Sequence, residues 1–171
     1  MERNLVFLIS NFHDPHHQRQ IETGLNIEFC NLHDGQLVYE NDQPFLWKDQ
    51  ILKPLAITHT RGLHIIGIGK YGIDVENKDR KILLKPEWIP SKLIKLPMLD
   101  VFILGESIIK LNISKFSQLL SELKILKVSK ENFNSELGHC YLEIKSKLFK
   151  HFICSHFYLY QDYSICISRI L

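Results

Sequence analysis

Asp74 and Glu76 stand two apart in Gly72-Ile73-Asp74-Val75-Glu76, and Glu106 and Lys110 stand four apart in Phe102-Ile103-Leu104-Gly105-Glu106-Ser107-Ile108-Ile109-Lys110. The first segment reads as a strand flanked by a turn glycine, and residues two apart on a strand leave the same face. Two carboxylates held that close repel, and a divalent cation is the usual physical reason to keep both ionised. Glu106 offers a third oxygen ligand from a helix, with Lys110 one turn further along the same face. Three carboxylates without a histidine–cysteine cluster beside them suit a hard ion such as magnesium. Plainer readings stand next to this one. Asp74 and Glu76 could be separate surface acids, and Glu106–Lys110 an ordinary helical pair worth only about 0.3–0.5 kcal/mol.

Other residues with chemical potential are less organised. His13, His16 and His17 invite a metal reading, but Pro15 interrupts the helix that would align His13 with His17, which favours a solvated turn. His59 ends an apolar run and could be a satisfied strand-end histidine. Cys30, Cys140, Cys154 and Cys166 show no C-x-x-C spacing, so buried reduced thiols are expected rather than disulfides or zinc ligands.

The elements that must position these groups are legible as patterns. Asn4 to Ser10 reads as a buried strand, and Pro15 can open a helix running to about Gly24. Ile27 to Asn31 and Gln36 to Glu40 look like short strands around His33-Asp34-Gly35. Leu55–His59 and Leu63–Ile68 form strands about a turn at Thr60-Arg61-Gly62, followed by the Asp74 strand. Pro86, Pro90 and Pro97 break the next stretch, which leaves Trp88 and Ile89 exposed. Met98 to Leu111 is the best helix, with Val101, Leu104, Ile108 and Leu111 as its buried stripe. Phe116 to Leu123 reads as another short helix. Leu137 to Arg169 reads as several strands, with a turn at Gln161-Asp162. Each half therefore ends in a β-meander preceded by helices, an α+β pattern with weak internal repetition.

The 171 residues suffice for one domain, or two small halves sharing a core. A formal net charge of +2 gives no argument for generic nucleic-acid binding. Charge is nonetheless uneven: residues 1–60 hold 4 Lys/Arg against 8 Asp/Glu, and residues 61–171 hold 17 against 11. The basic part could meet phosphates or an acidic partner, or could simply be solubilising. Leu5–Ile9 is too short for a signal segment, and no run is long and apolar enough to span a bilayer. A cytoplasmic protein with no membrane and no nucleic-acid partner is the resulting expectation.

The carboxylate strand resembles the Gly-Ile-Asp-Ile-Glu motif of the 4′-phosphopantetheinyl transferases, and the Glu106 helix resembles their Trp-x-x-Lys-Glu-Ser/Ala-x-x-x-Lys motif. Ile57-Thr58-His59-Thr60 is similar to the family's Ile-Ser-His-Ser segment, and Asn41-Asp42-Gln43-Pro44-Phe45-Leu46 to its Gly-Lys-Pro-Tyr-Leu segment. Tyr163-Ser164-Ile165-Cys166-Ile167-Ser168 resembles the last core strand of the surfactin-type members. The matches span roughly Gln36 to Arg169 in the family's order. Gly105 and Gln43 stand where the family carries lysine, Phe102 where it carries tryptophan, and the region before Gln36 is short.

The resemblance implies one α+β domain over residues 1–171, made of two pseudo-twofold-related halves, approximately 1–76 and 77–171. Each half would be a small antiparallel β-meander packed with helices. It implies magnesium-dependent transfer of the phosphopantetheine arm of coenzyme A to a serine of an apo acyl or peptidyl carrier protein, by a monomer. Asp74, Glu76 and Glu106 would hold the metal. Glu106 and Lys110 would be catalytic, Glu106 taking the serine proton. Thr58, His59 and Lys110 would bind coenzyme A, with Arg61 offering a substitute charge. The alternatives are a non-catalytic carrier- or nucleotide-binding protein of the same fold, and a magnesium-dependent nucleotide or pyrophosphate hydrolase.

Overall fold

Two-residue turns set the register of the first sheet. Asn41 and Asp42 (φ 49° and 62°) and Asp49 and Gln50 (φ 51° and 62°) take the doubly positive φ that matches hairpin twist. The computed structural model describes residues 5–9, 15–84, 89, 91–93, 96–111, 123–130, 139–146 and 152–171. The chain divides into two compact units, Met1–Lys70 and Tyr71–Leu171.

The first unit contains β1 (Leu5–Ile9), α1 (Pro15–Leu32), β2 (Gln36–Glu40), β3 (Gln43–Lys48), β4 (Ile51–Thr60) and β5 (Leu63–Ile68). Its strands lie in the order β1-β5-β4-β3-β2 and pair antiparallel throughout. The helix runs past Gly24, where the sequence suggested it would stop, and takes up Ile27–Asn31, which had the look of a strand. Tertiary burial overrides the local propensity: Phe29 and Cys30 pack into a core with Leu46, Leu55 and Ile66. Asp34, at φ 54°, ends the helix, and the Gly35 N–H donates to the Cys30 carbonyl at 2.9 Å.

The second unit holds β6 (Gly72–Asn77), α2 (Met98–Ile109), β7 (Leu123–Lys130), β8 (His139–Ser146), β9 (Phe152–Tyr160) and β10 (Tyr163–Ile170). The strand order is β6-β10-β9-β8-β7, again antiparallel. Counted from its own first strand, each sheet runs 1-5-4-3-2, and the α-helix described in each unit lies between strands one and two. The division falls at Lys70/Tyr71 rather than after residue 76, because β6 is hydrogen-bonded to β10 from Gly72–Ser168 to Asn77–Tyr163. The architecture is α+β, with two antiparallel sheets.

Helix α2 buries Val101, Leu104 and Ile108 as its periodicity predicts, and Ile103, Gly105 and Ser107 as well. This wide face packs against β6 and β10, in a core that includes Ile153, Phe157 and Cys166. Ile89 packs against that core instead of standing exposed. A buried hydroxyl chain ties helix to sheet: Ser107 lies 2.7 Å from Ser168, and Ser168 lies 2.7 Å from Ser155. Ser107 donates to the Leu104 carbonyl at 2.9 Å, so with one proton per hydroxyl Ser168 donates to Ser107 and Ser155 to Ser168. Cys30, Cys154 and Cys166 are free and buried, and burial pushes the Cys166 thiol up to about 12. The expected short helix over Phe116–Leu123 and Trp88 lie outside the described residues, apart from Leu123, which opens β7. No helix among the described residues is long and apolar enough to cross a membrane.

Candidate functional site

Gly72 opens β6 from inside the strand rather than from a turn, and it is buried. A Cβ there would lie 1.6 Å from the Ser107 carbonyl oxygen, far inside van der Waals contact. The missing side chain is what lets the backbone of α2 settle directly onto β6. That close approach brings Asp74, on the strand, to Lys110, at the helix C-cap: Lys110 Nζ donates to Asp74 Oδ1 at 2.6 Å. Lys110 also stands where a cation is favoured by the helix dipole.

Asp74 and Glu76 are both buried, 6% and 8% exposed, so neither is a solvated surface acid. Burial pushes the Asp74 carboxyl above its ordinary value, and the Lys110 ammonium only partly offsets this. Glu106, half-buried on α2, is pushed up in the same direction. Burial contributes most, the negative charge of Asp74 adds to it, and Lys110 and Arg80 oppose it. Asp74 and Glu106 therefore share one electrostatic field, although 32 positions apart in sequence.

Glu76 is held differently. Its carboxylate pairs with the Arg80 guanidinium, which also lies 5.3 Å from the centre of the Phe102 ring. A turn after β6 folds Arg80 back: the Asp79 N–H donates to Asn77 Oδ1 at 2.8 Å, and the Arg80 N–H to the Asn77 carbonyl at 3.0 Å. Arg80 was missed in the sequence because its i+4 spacing from Glu76 crosses a strand end, where helical pairing rules do not apply. As they stand, the ligand oxygens of Asp74, Glu76 and Glu106 do not form a group lying wholly within 4.8 Å. The physical reason is that Lys110 and Arg80 draw Asp74 and Glu76 to separate cations. The donor chemistry still fits a hard divalent ion, because Asp74 and Glu106 are hard oxygen donors whose mutual repulsion a cation would relieve.

In the first unit, Thr58 and His59 are consecutive in β4 and so leave opposite faces. Thr58 is buried at 3% exposure, while His59 lies on the face turned to α1, with its side chain 51% exposed. Arg61 is exposed in the turn after β4. His59 meets residues that the sequence reading did not name. It pairs with Glu22 of α1, and its cross-strand partner is His64. One nitrogen from each imidazole and one Glu22 oxygen all lie within 4.8 Å of one another. The signal was present in the spacing: a two-residue turn at Arg61-Gly62 makes positions 59 and 64 direct partners. Burial holds the His64 imidazole below its usual range, Glu22 pulls against this, and His59 reinforces it. Of the three histidines near Pro15, His17 is exposed, His13 lies outside the described residues, and His16 is described only as backbone in α1.

Gly105, which stands at a position of lysine in the resembled helix motif, is buried in α2. A lysine there would have to bury its stem and charge, so this helix presents a different face at that point. Compared with known proteins, the chain matches no family model and no curated protein.

Proposed function

We propose that the chain is a phosphopantetheinyl transferase of the compact, surfactin-like type, moving the phosphopantetheine arm of coenzyme A to a carrier-protein serine. The observation that carries this reading is the Lys110–Asp74 contact at 2.6 Å with Glu106 in the same field. Two segments chosen for their resemblance to two motifs of one family meet through the residues that those motifs would use. The equal strand order of the two sheets supports the pseudo-twofold architecture that belongs to the same proposal.

In this reading Asp74, Glu76 and Glu106 would hold magnesium, whose charge would offset that developing on the pyrophosphate. Glu106 would accept the proton of the carrier serine hydroxyl. Lys110 would exchange its hydrogen bond to Asp74 for one to a phosphate oxygen, as a point charge on a flexible stem. His59 and Arg61 would bind phosphate of coenzyme A, with Thr58 contributing through its backbone because its side chain is buried.

One observation favours the non-catalytic reading. Lys110 and Arg80 already neutralise Asp74 and Glu76, so the carboxylates have cations without a metal. The deciding experiment is the mass of apo acyl and peptidyl carriers incubated with the protein, coenzyme A and magnesium. A gain equal to the phosphopantetheine arm is expected. No gain on any carrier, with coenzyme A still bound, would give the binding-protein reading. Phosphate-containing products released without a carrier would give the hydrolase.

A further inference from the structure

Helix α1 turns an unusual set of residues inward. Beside Phe29 and Cys30, its inner face carries buried Asn26 and, one turn earlier, partly buried Glu22, whose side chain is 18% exposed. Opposite them stand His59 and His64, paired across β4 and β5 with ring centres 6.2 Å apart in an edge-to-face arrangement. His64 is 2% exposed.

The hydrogen bonding of His64 is what distinguishes this cluster from an ordinary Glu–His pair. Its Nε2 lies 2.9 Å from Asn26 Oδ1, and an amide oxygen can only accept, so Nε2 carries the proton. In the neutral ring Nδ1 then bears a lone pair. That nitrogen is buried and has no hydrogen-bond partner among the described residues. Burying an acceptor without a partner is costly, so the arrangement calls for something that takes a lone pair. An imidazole with one N–H fixed by an amide or carboxylate oxygen and the other nitrogen left as donor is how metal-binding histidines are oriented.

We propose that Glu22, His59 and His64 form a metal site for zinc or a similar borderline divalent ion within the Met1–Lys70 unit, open to a fourth ligand. Two imidazoles and a carboxylate form a donor set typical of zinc. Ligand atoms around tetrahedral zinc sit about 3.3–3.4 Å apart, given metal–nitrogen distances near 2.0–2.1 Å. A cluster already within 4.8 Å needs only small side-chain rotations to reach that. The His59 side chain is 51% exposed, which leaves one side of the cluster free for water or an anionic oxygen. The donor set differs in kind from the all-carboxylate set of the second unit. The inference does not rest on the transferase reading, which gives His59 to a phosphate instead.

The test uses the full chain, stripped with a chelator and titrated with Zn2+ against a chromophoric competitor, with Co2+ as a spectroscopic probe. One equivalent of Zn2+ is expected at micromolar concentration or below, and Co2+ should give a visible ligand-field band. Glu22→Gln and His59→Gln alter groups that are not fully buried, so both variants should fold, which circular dichroism would verify. Each should weaken Zn2+ binding at least tenfold and abolish the Co2+ band. Asn26→Ala, which frees the His64 ring, should cost about ten- to a hundredfold. Asp74→Asn should leave Zn2+ binding unchanged. Absence of stoichiometric Zn2+ binding, an unaltered affinity in His59→Gln, or loss of binding in Asp74→Asn would each overturn the site. Carrier labelling is read in a separate assay, so failure of one proposal is distinguishable from failure of the other.

Discussion

The two units share a strand order and a helix position, yet they solve the problem of buried charge in opposite ways. In the Tyr71–Leu171 unit, Asp74, Glu76 and Glu106 are carboxylates beside lysine and arginine, and burial raises the pKa of Asp74 and Glu106. In the Met1–Lys70 unit, His59 and His64 face a single Glu22, and burial lowers the pKa of His64. One cluster suits a hard ion and a phosphate, the other a softer ion held by nitrogen. The same topology therefore does not dictate the chemistry, which is set by the side chains that each helix and its strands bring together.

The largest expected effect falls on the carboxylate side alone. Asp74→Ala should lower carrier labelling at saturating magnesium by about a thousandfold, because a lost metal ligand removes roughly 4 kcal/mol of charge stabilisation. Stability should hold or rise, since a buried carboxylate is removed and Lys110, 34% exposed, can reach water. His64→Gln should leave that rate within a few-fold of normal. Near-normal labelling by Asp74→Ala would dissolve the contrast between the two units.

Next come two buried glycines of this unit, of which Gly72 lets α2 approach its sheet. Gly72→Ala places a methyl group 1.6 Å from a backbone oxygen that cannot rotate away, so strand and helix must part. A loss of more than about 2 kcal/mol is expected by denaturant titration. Transfer should also fall, because Asp74 is carried away from Lys110 and Glu106. Gly105→Lys should destabilise by a similar amount of about 2 kcal/mol or more, since it places a long charged side chain at a buried position. A wild-type midpoint for Gly72→Ala would show that the close contact between α2 and β6 is not needed, and one for Gly105→Lys that a side chain at 105 can turn to water. In the first unit, Gly24→Ala should instead stabilise by about 0.5–1 kcal/mol, because a Cβ there meets nothing within 4 Å.

These residues also show what the sequence could and could not say. Strand β6, helix α2 and the meander of β8 to β10 were legible, because period-2 and period-3.6 patterns and turn residues agreed locally. The extent of α1 was not, since Gly24 argues for a stop and only the core around Phe29 and Cys30 argues against one. Asp74, Glu106 and Lys110 were singled out by their spacing on a strand and a helix, and the structure brings Lys110 to Asp74. Arg80 and the Glu22–His59 pair were not, because they depend on a loop turning back and on a helix packing beside a hairpin. Neither event leaves a period in the sequence.

The pH dependence of stability should have opposite signs in the two units. Asp74 and Glu106 have folded values raised above 3.8 and 4.5, so the folded chain binds more protons than the unfolded one just above those values. Their contribution is present at low pH and is lost as pH rises through the raised values. His64 has a folded value below 6.5, so the unfolded chain binds the extra proton. Its contribution is intact above pH 6.5 and is lost as pH falls from there through the folded value. Asp74→Asn should flatten the acidic part of a stability–pH curve, and His64→Gln the part just below 6.5. If each variant instead altered the other's window, the assignment of the two slopes would be reversed.

The smallest effect tests whether Arg80 stands in for a metal. Arg80 is half exposed and contacts Glu76 and the face of Phe102. Such a pair contributes under about 1 kcal/mol of stability, because solvent screens it. Arg80→Gln should therefore shift the unfolding midpoint only slightly. It also removes a positive charge that acts on Asp74 and Glu106, so magnesium affinity measured by calorimetry should rise by about two- to fivefold, or roughly 0.4–1 kcal/mol. In Asp74→Asn the same substitution should have much less effect on magnesium, because the shared site is already broken. Zn2+ affinity should not respond to Arg80→Gln in either background. A fall in magnesium affinity would mean that Arg80 organises Glu76 for the ion instead of competing with it, and the contrast with the histidine cluster would then lie in the donor atoms alone.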